Sequence, residues 1–324
     1  MKKGYSKKDT GTRITIIVLC ALLIVFCLVV LIPLIWGLNT SLKSKLDFFK
    51  VGNDNVLGFP TLDKENKFNS RNEFFKLENY VKVFKEMKFT IRGGAYYSRG
   101  QRIPATQKIE VGLLDLVFNS LVYCVVGAGL KAIVPAVCAF ICAKYKFKWL
   151  KILPALVIFN MTVPVVGTLP SELKLLRDLG VYDTWLMHII HSASFDGMYF
   201  LVFIATYEGL SDAYIEAAEI DGASQLSVLI HIALPLTVKI ISTVFLLNFI
   251  SYWNNYTSPL VYLPTHPTLA WGIFQLDKDS QIPALNSVPG KVTAAMFLAT
   301  PILIMFIFLH EKIMGNVSMG GLKE

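Results

Sequence analysis

The side chains that could do covalent or metal chemistry are few, and their spacing does not suit it. None of His188, His191, His231, His266 and His310 belongs to an H-E-x-x-H pair, the i, i+4 spacing that sets two imidazoles on one helix face to grip zinc. Cys20, Cys27, Cys124, Cys138 and Cys142 lie inside apolar runs with no C-x-x-C pair, so they read as small buried hydrophobes. Pro289-Gly290-Lys291-Val292-Thr293 has some letters of a phosphate-binding loop but lacks its first glycine and its Lys-Thr spacing. With no nucleophile–base pair either, the chain reads as a non-enzyme that binds no cofactor, and any nucleotide chemistry belongs to another polypeptide.

The segment Ser211–Pro235, SDAYIEAAEIDGASQLSVLIHIALP, has a different kind of chemistry to offer. Ser211 or Asp212 can cap a short helix, which Ala217 and Ala218 keep thin, and Gly222 can take the positive φ of a sharp bend. Asp221 or Ser224 suits the cap of a second helix, Gln225–Leu234, which Pro235 closes while opening the next element. The expected product is a helix–bend–helix elbow with Glu216 and Glu219 on offer to a basic partner. A plain amphipathic connector is the alternative, because caps and small residues are common.

Other polar residues fall inside apolar runs. Lys131 and Asp196 sit where ionisable groups face a bundle interior or a wet cavity; they can pair with each other, face a partner subunit, or face water. Asn248, Trp253, Asn254, Asn255 and Tyr256 suit either a solute path or interfacial anchoring with helix–helix packing.

The elements that must position these residues are membrane helices. Hydrophobic residues make up 54% of the 324 positions and the mean hydropathy is +0.54, too apolar for a soluble domain of this size. Ile14–Leu38 has no charged residue and is longer than the ~20 residues that cross a bilayer. It lacks an A-x-A cleavage site and reads as an uncleaved first span. Five more spans are expected near Leu116–Ala143, Ile152–Pro170, Thr184–Tyr207, Leu236–Ser258 and Val292–Leu309, giving an all-α integral membrane protein with six transmembrane helices.

Lys and Arg flank these spans unequally. Lys2, Lys3, Lys7, Lys8 and Arg13, then Lys144, Lys146, Lys148 and Lys151, then Lys312 and Lys323 would fall on one side, which the retention of positive charge makes cytoplasmic. Residues 1–13 and 311–324 are then cytoplasmic, 14–310 form the membrane domain, 39–115 are a long outer loop, and 208–235 are the inner elbow. The net charge of +8 is spread between spans and suits anionic lipid, not nucleic acid. Within the outer loop, Leu77, Tyr80, Val81, Phe84 and Met87 predict an amphipathic helix, and the Gly-rich stretch after it reads as loop.

Glu216-Ala217-Ala218, Asp221-Gly222-Ala223 and Ile232, Leu234, Pro235 together resemble the cytoplasmic EAA loop of permeases in bacterial binding-protein-dependent ABC importers. IPLIWGLNTSLKS, LENYVKVF, Phe118-Asn119-Ser120, KYKFKWLK, VPVVGTLPSELKLLRDLGVYDTW and YWNNYTSPLVYL are similar to the carbohydrate branch, closest to the smaller permease of the maltose-type class. That resemblance implies a multi-pass protein of the bacterial cytoplasmic membrane that imports a sugar. Its implied partners are a second permease, an ABC ATPase dimer carrying ATP and Mg, and an extracellular solute-binding protein. It also implies that the elbow docks on the ATPase. An ion-coupled secondary transporter and an ABC permease for another solute are the rival readings; the first expects paired inverted halves, which this sequence does not display.

Overall fold

The computed structural model describes residues 10–49, 56–60, 77–92, 96–98, 101–103, 108–145, 147–163, 166–195, 197–278, 282–283 and 285–317. It is mostly helical, and its contacts divide it into two compact units, Met1–Met87 with Ser280–Phe297, and Lys88–Asp279 with Leu298–Glu324.

The first unit contains α1 (Thr10–Ser41), α2 (Lys45–Phe48) and α3 (Glu78–Glu86). The last carbonyls of a helix have no partner within it, and here neighbours supply them. Asn79 donates to the Ser41 and Lys43 carbonyls at 2.8 and 2.7 Å, and Thr293 Oγ1 donates to that of Ser41 at 3.2 Å. The Tyr80 hydroxyl meets Ser41 Oγ at 2.8 Å. These polar contacts set the rotation of α3. Val83 and Met87 are buried and Tyr80 half-buried, whereas Val81 and Phe84, read as part of the same apolar stripe, are exposed.

The second unit begins with strands, a departure from the all-α expectation and from the loop read after α3. β1 (Lys88–Arg92) pairs antiparallel with β4 (Lys108–Gly112), and β2 (Tyr96–Ser98) with β3 (Gln101–Ile103). Phe89, Ile91 and Val111 alternate with polar neighbours at the two-residue period of a half-buried strand, and all three are buried. Phe89 meets Trp271 edge-on at 5.5 Å between centroids.

α4 (Leu113–Lys144) is the centre of this unit. It buries Ser120, Gly127, Ala128, Ala132, Ala136 and Ala139 along one face, residues small enough to let other helices come close. Packed against α4 are α7 (Trp185–Ser192), α8 (Met198–Glu208) and α11 (Leu234–Asn254), and a core shared by α4, α8 and α11 joins Phe140, Phe200, Phe203, Tyr207 and Val244. The remaining elements are α5 (Ile152–Thr162), α6 (Leu169–Asp178), α9 (Ala213–Ile220), α10 (Gln225–Val228), α12 (Thr257–Tyr262) and α13 (Leu269–Lys278). α14 (Val288–Val317) has residues in both units.

Two expected spans differ in form. The third stops at Thr162 instead of continuing to Pro170, because Val163 precedes a proline and is extended (φ −89°, ψ 111°). The fourth is broken between α7 and α8, where Ala193 (ψ 53°) and Gly197 (ψ 177°) leave helical geometry in a Ser- and Gly-containing stretch. Among the described residues three helical runs are long and apolar enough to cross a membrane: Ile14–Ser41, Leu113–Lys144 and Gln225–Asn254.

Candidate functional site: the helical elbow

The elbow forms where α9 stops. Gly222 has φ +81°, the left-handed conformation that costs glycine nothing and a β-branched residue most. Its N–H bonds to the Glu219 carbonyl at 3.0 Å, and the Ala223 N–H reaches the Ala218 carbonyl at 2.9 Å, the paired closure that ends a helix on a left-handed glycine. Ser224 Oγ then accepts from the Ser227 N–H at 3.3 Å and starts α10. At the other end, Ser211 Oγ accepts from the Ala213 N–H at 3.3 Å, while the Asp212 carboxylate is committed elsewhere.

Pro235 does not separate two helices, as the sequence had suggested. α10 passes into α11 through a π-helical segment, Leu229–Ala233, in which the Leu234 N–H reaches back five residues to the Leu229 carbonyl. Proline lacks the donor for the His231 carbonyl and crowds it in a regular α-helix; one wider turn relieves that crowding and the helix continues.

Ile215, Ala218 and Ala223 pack on the core, which fixes the elbow's inner face. Its outer face presents Glu216, with Tyr214 56%, Ile220 86% and Leu226 64% exposed, so the surface is acidic and apolar together. Glu219 is less available than its position had suggested, because the Gln225 amide donates to its Oε1 at 2.6 Å. Gln225 in turn accepts from the Tyr145 hydroxyl, and Lys144 Nζ donates to Asp212 Oδ1 and to the Leu210 carbonyl, both at 2.7 Å. Burial, then the nearby Glu219 carboxylate, holds the Tyr145 hydroxyl above its ordinary range and keeps it a donor. Lys144 and Tyr145 were absent from the expected site. Their only sequence signal was a positive flank after a span, since the partners lie more than sixty positions away.

The other candidates have local partners. Lys131 Nζ bonds to Ser194 Oγ; Asp196 lies outside the described residues. Asn248 and Asn254 donate to carbonyls of their own helix, those of Val244 and Ile250, at 2.8 and 2.9 Å. Asn255 Oδ1, one residue before the N-cap of α12, accepts from the Ser258 N–H at 2.9 Å. Trp253 is buried and donates to the Leu298 carbonyl at 2.8 Å, which makes it a packing residue.

A second polar cluster joins α6, α7 and α12. The Tyr262 hydroxyl donates to Glu172 Oε2 at 2.9 Å, and His191 Nε2 lies 3.9 Å from Glu172 Oε1. Burial and the bond to Glu172 push Tyr262 up to about 12. Nearby, His188 stacks on Tyr123 at 4.2 Å and bonds to its carbonyl at 2.8 Å, a satisfied core histidine.

Long apolar helices, among them α4 and α11 packed through small residues, with an elbow whose surface is apolar and acidic, define a helical membrane protein. Residues 136–315 match the family described as binding-protein-dependent transport system inner membrane component, and the chain belongs to that family. It is a membrane-embedded permease subunit of an ABC importer, which decides against the ion-coupled reading.

Relatives agree over most of their length. The chain is 23% identical to a diacetylchitobiose uptake system permease protein of Streptomyces coelicolor, over 93% of this chain and 86% of that one. It is 24% identical to an arabinooligosaccharides transport system permease protein of Bacillus subtilis (strain 168), over 75% and 80%. It is 22% identical to a sulfoquinovosyl glycerol transport system permease protein of Agrobacterium fabrum, over 64% and 72%. A crystal structure of a bacterial ABC transporter involved in the import of the acidic polysaccharide alginate has a chain of the same fold, with a TM-score of 0.68, 22% identity and coverage of 96% of this chain and 99% of that one.

Proposed function

We propose that this subunit imports a carbohydrate, an oligosaccharide or related glycoside, and that its elbow is the contact through which a separate ATPase drives transport. The observation that carries the reading is the elbow itself. Gly222, at φ +81°, turns the chain between two short arms on which Glu216, Ile220 and Leu226 are exposed, in a segment without Lys or Arg. An exposed carboxylate on a thin Ala-Ala helix suits a charge-assisted bond to a basic side chain, and the apolar neighbours suit burial against it. The sugar assignment rests on the substrates named for the relatives.

The proposed arrangement has six spans, both termini and the elbow on the cytoplasmic side, and 39–115 outside. α1, α4 and α11, the outer part of the run Gln225–Asn254, are full-length spans; the other three use α5, the broken pair α7 and α8, and α14. ATP and Mg reside on an ATPase dimer, a second permease completes the path, and a solute-binding protein delivers the sugar. Closure of the ATPase dimer carries the docked elbow as a rigid body and switches access between the two sides.

Glu216→Lys and Gly222→Val test this. Each is expected to leave the chain inserted in the membrane while uptake is abolished and the ATPase is uncoupled or released. Transport at wild-type rate by both, with the ATPase still bound, would sink the coupling role. A ligand screen on the cognate binding protein tests the sugar assignment.

A further inference from the structure

The last helical residue of α4 and the residue after it are each bonded to a different arm of the elbow. Lys144 Nζ holds the Leu210 carbonyl, just beyond α8, and Asp212 Oδ1, on the residue that opens α9, both at 2.7 Å. Its side chain is only 8% exposed, so the ammonium is held against the bundle and its bond to the Leu210 carbonyl is part-buried, while the Asp212 carboxylate that it also meets is 71% exposed. Tyr145 leaves the helix extended (φ −99°, ψ 131°) and donates its hydroxyl to Gln225 Oε1 at the start of α10. Gln225 closes the loop by donating to Glu219 Oε1, near the end of α9, at 2.6 Å. Below this network, Ile215, Ala218 and Ala223 rest on the core that contains Ala136, Ala139 and Phe140 of α4.

By chain connection the elbow is joined to α8 and α11 alone. α4 is 66 residues away from Leu210, yet it is tied to both arms.

We propose that Lys144 and Tyr145 are positioning residues for coupling, which clamp the elbow to α4 so that α4 carries elbow displacement into the helix bundle. The proposal rests on the reading of the elbow as the ATPase contact. Coupling between distant sites travels through rigid elements with contiguous contacts. α4 is such an element: it packs against α7, α8 and α11, and its Tyr123 stacks on His188 and meets Tyr252 edge-on at 5.1 Å. A clamp at its end moves these helices with the elbow. Without the clamp, the elbow can swing on α8 and α11 while α4 lags.

The experiment uses the whole complex in proteoliposomes with its binding protein, reading ATP hydrolysis and solute uptake in one preparation. Lys144→Met and Tyr145→Phe are expected to insert and to retain the ATPase and its hydrolysis, while ATP consumed per solute rises about tenfold. Lys144→Arg keeps the charge and the donors and is expected to stay within about twofold of wild type. Tyr145→Phe removes one hydroxyl without changing the packing volume, so it decides the matter if Lys144→Met fails to insert. A wild-type ratio in Tyr145→Phe and in any inserted Lys144→Met, alongside an uncoupled Glu216→Lys, overturns the clamp and leaves the elbow contact standing. Wild-type uptake in both Glu216→Lys and Gly222→Val brings down the elbow contact and the clamp with it.

Discussion

α1 and α4 are each 32 residues long and apolar enough to span a bilayer, yet they use that apolarity in opposite ways. None of the most apolar window of α1 is buried within the chain, against 44% of that of α4. The difference lies in side-chain size. α1 carries Leu, Ile, Val and Phe all round, which suits lipid, while α4 sets Ser120, Gly127, Ala128, Ala132, Ala136 and Ala139 toward its neighbours. Lipid tails are as apolar as leucine, so oiliness alone gives helices no reason to associate; close backbone approach does. Hydropathy therefore finds both helices, and residue volume separates the one that organises its unit from the one whose apolar face stays exposed.

This contrast can be broken most severely at Ala136, which is fully buried in the core shared by α4 and α8. Ala136→Leu is expected to destabilise the detergent-solubilised protein by about 3 kcal/mol through overpacking, read as a fall in its unfolding midpoint. An unchanged midpoint would mean that the small face is not a tight contact.

A milder break is Gly127→Ala. A Cβ there would come within 2.9 Å of Tyr252 Cζ and 3.0 Å of His188 Cε1, so both rings must give way. A loss of about 1–2 kcal/mol is expected, and Gly127→Ala combined with Tyr252→Leu is expected to recover part of it. Failure to recover would place the strain elsewhere.

The smallest effect belongs to α1. Ile24 is 60% exposed, in a stretch of α1 of which no described residue is buried within the chain. Ile24→Leu is expected to change stability by less than about 0.5 kcal/mol in the isolated chain. A larger loss confined to the assembled transporter would reveal a partner subunit on that face.

How far the sequence could be read depended on how local each cause was. Gly222 and Ser224 act within four residues, so the bend and the second cap were legible from residue type. α1 was legible because its apolar run is unbroken. The strands were missed because Phe89, Ile91 and Val111 offer only a short two-residue period amid charged and Gly-rich neighbours. The break after Ser192 hid because its Ser and Gly sit between two strongly apolar stretches whose average stays high. Glu219, Lys144 and Tyr145 were misjudged for another reason: their partners are tertiary, and no spacing rule joins Lys144 to an aspartate 68 positions on.

The π segment Leu229–Ala233 gives the long helix two reading frames. One more residue is wound into that turn than an α-helix would hold, so the faces before and after it are out of step by one residue, about 100° of rotation. The direction in which the elbow points is thus set by a length as much as by a sequence. Removing a single residue between Leu229 and Ala233 would keep Glu216, Gly222 and Ala223 intact and swing them by about that angle, a turn that cross-linking from Glu216→Cys to the ATPase would register as a new set of neighbours.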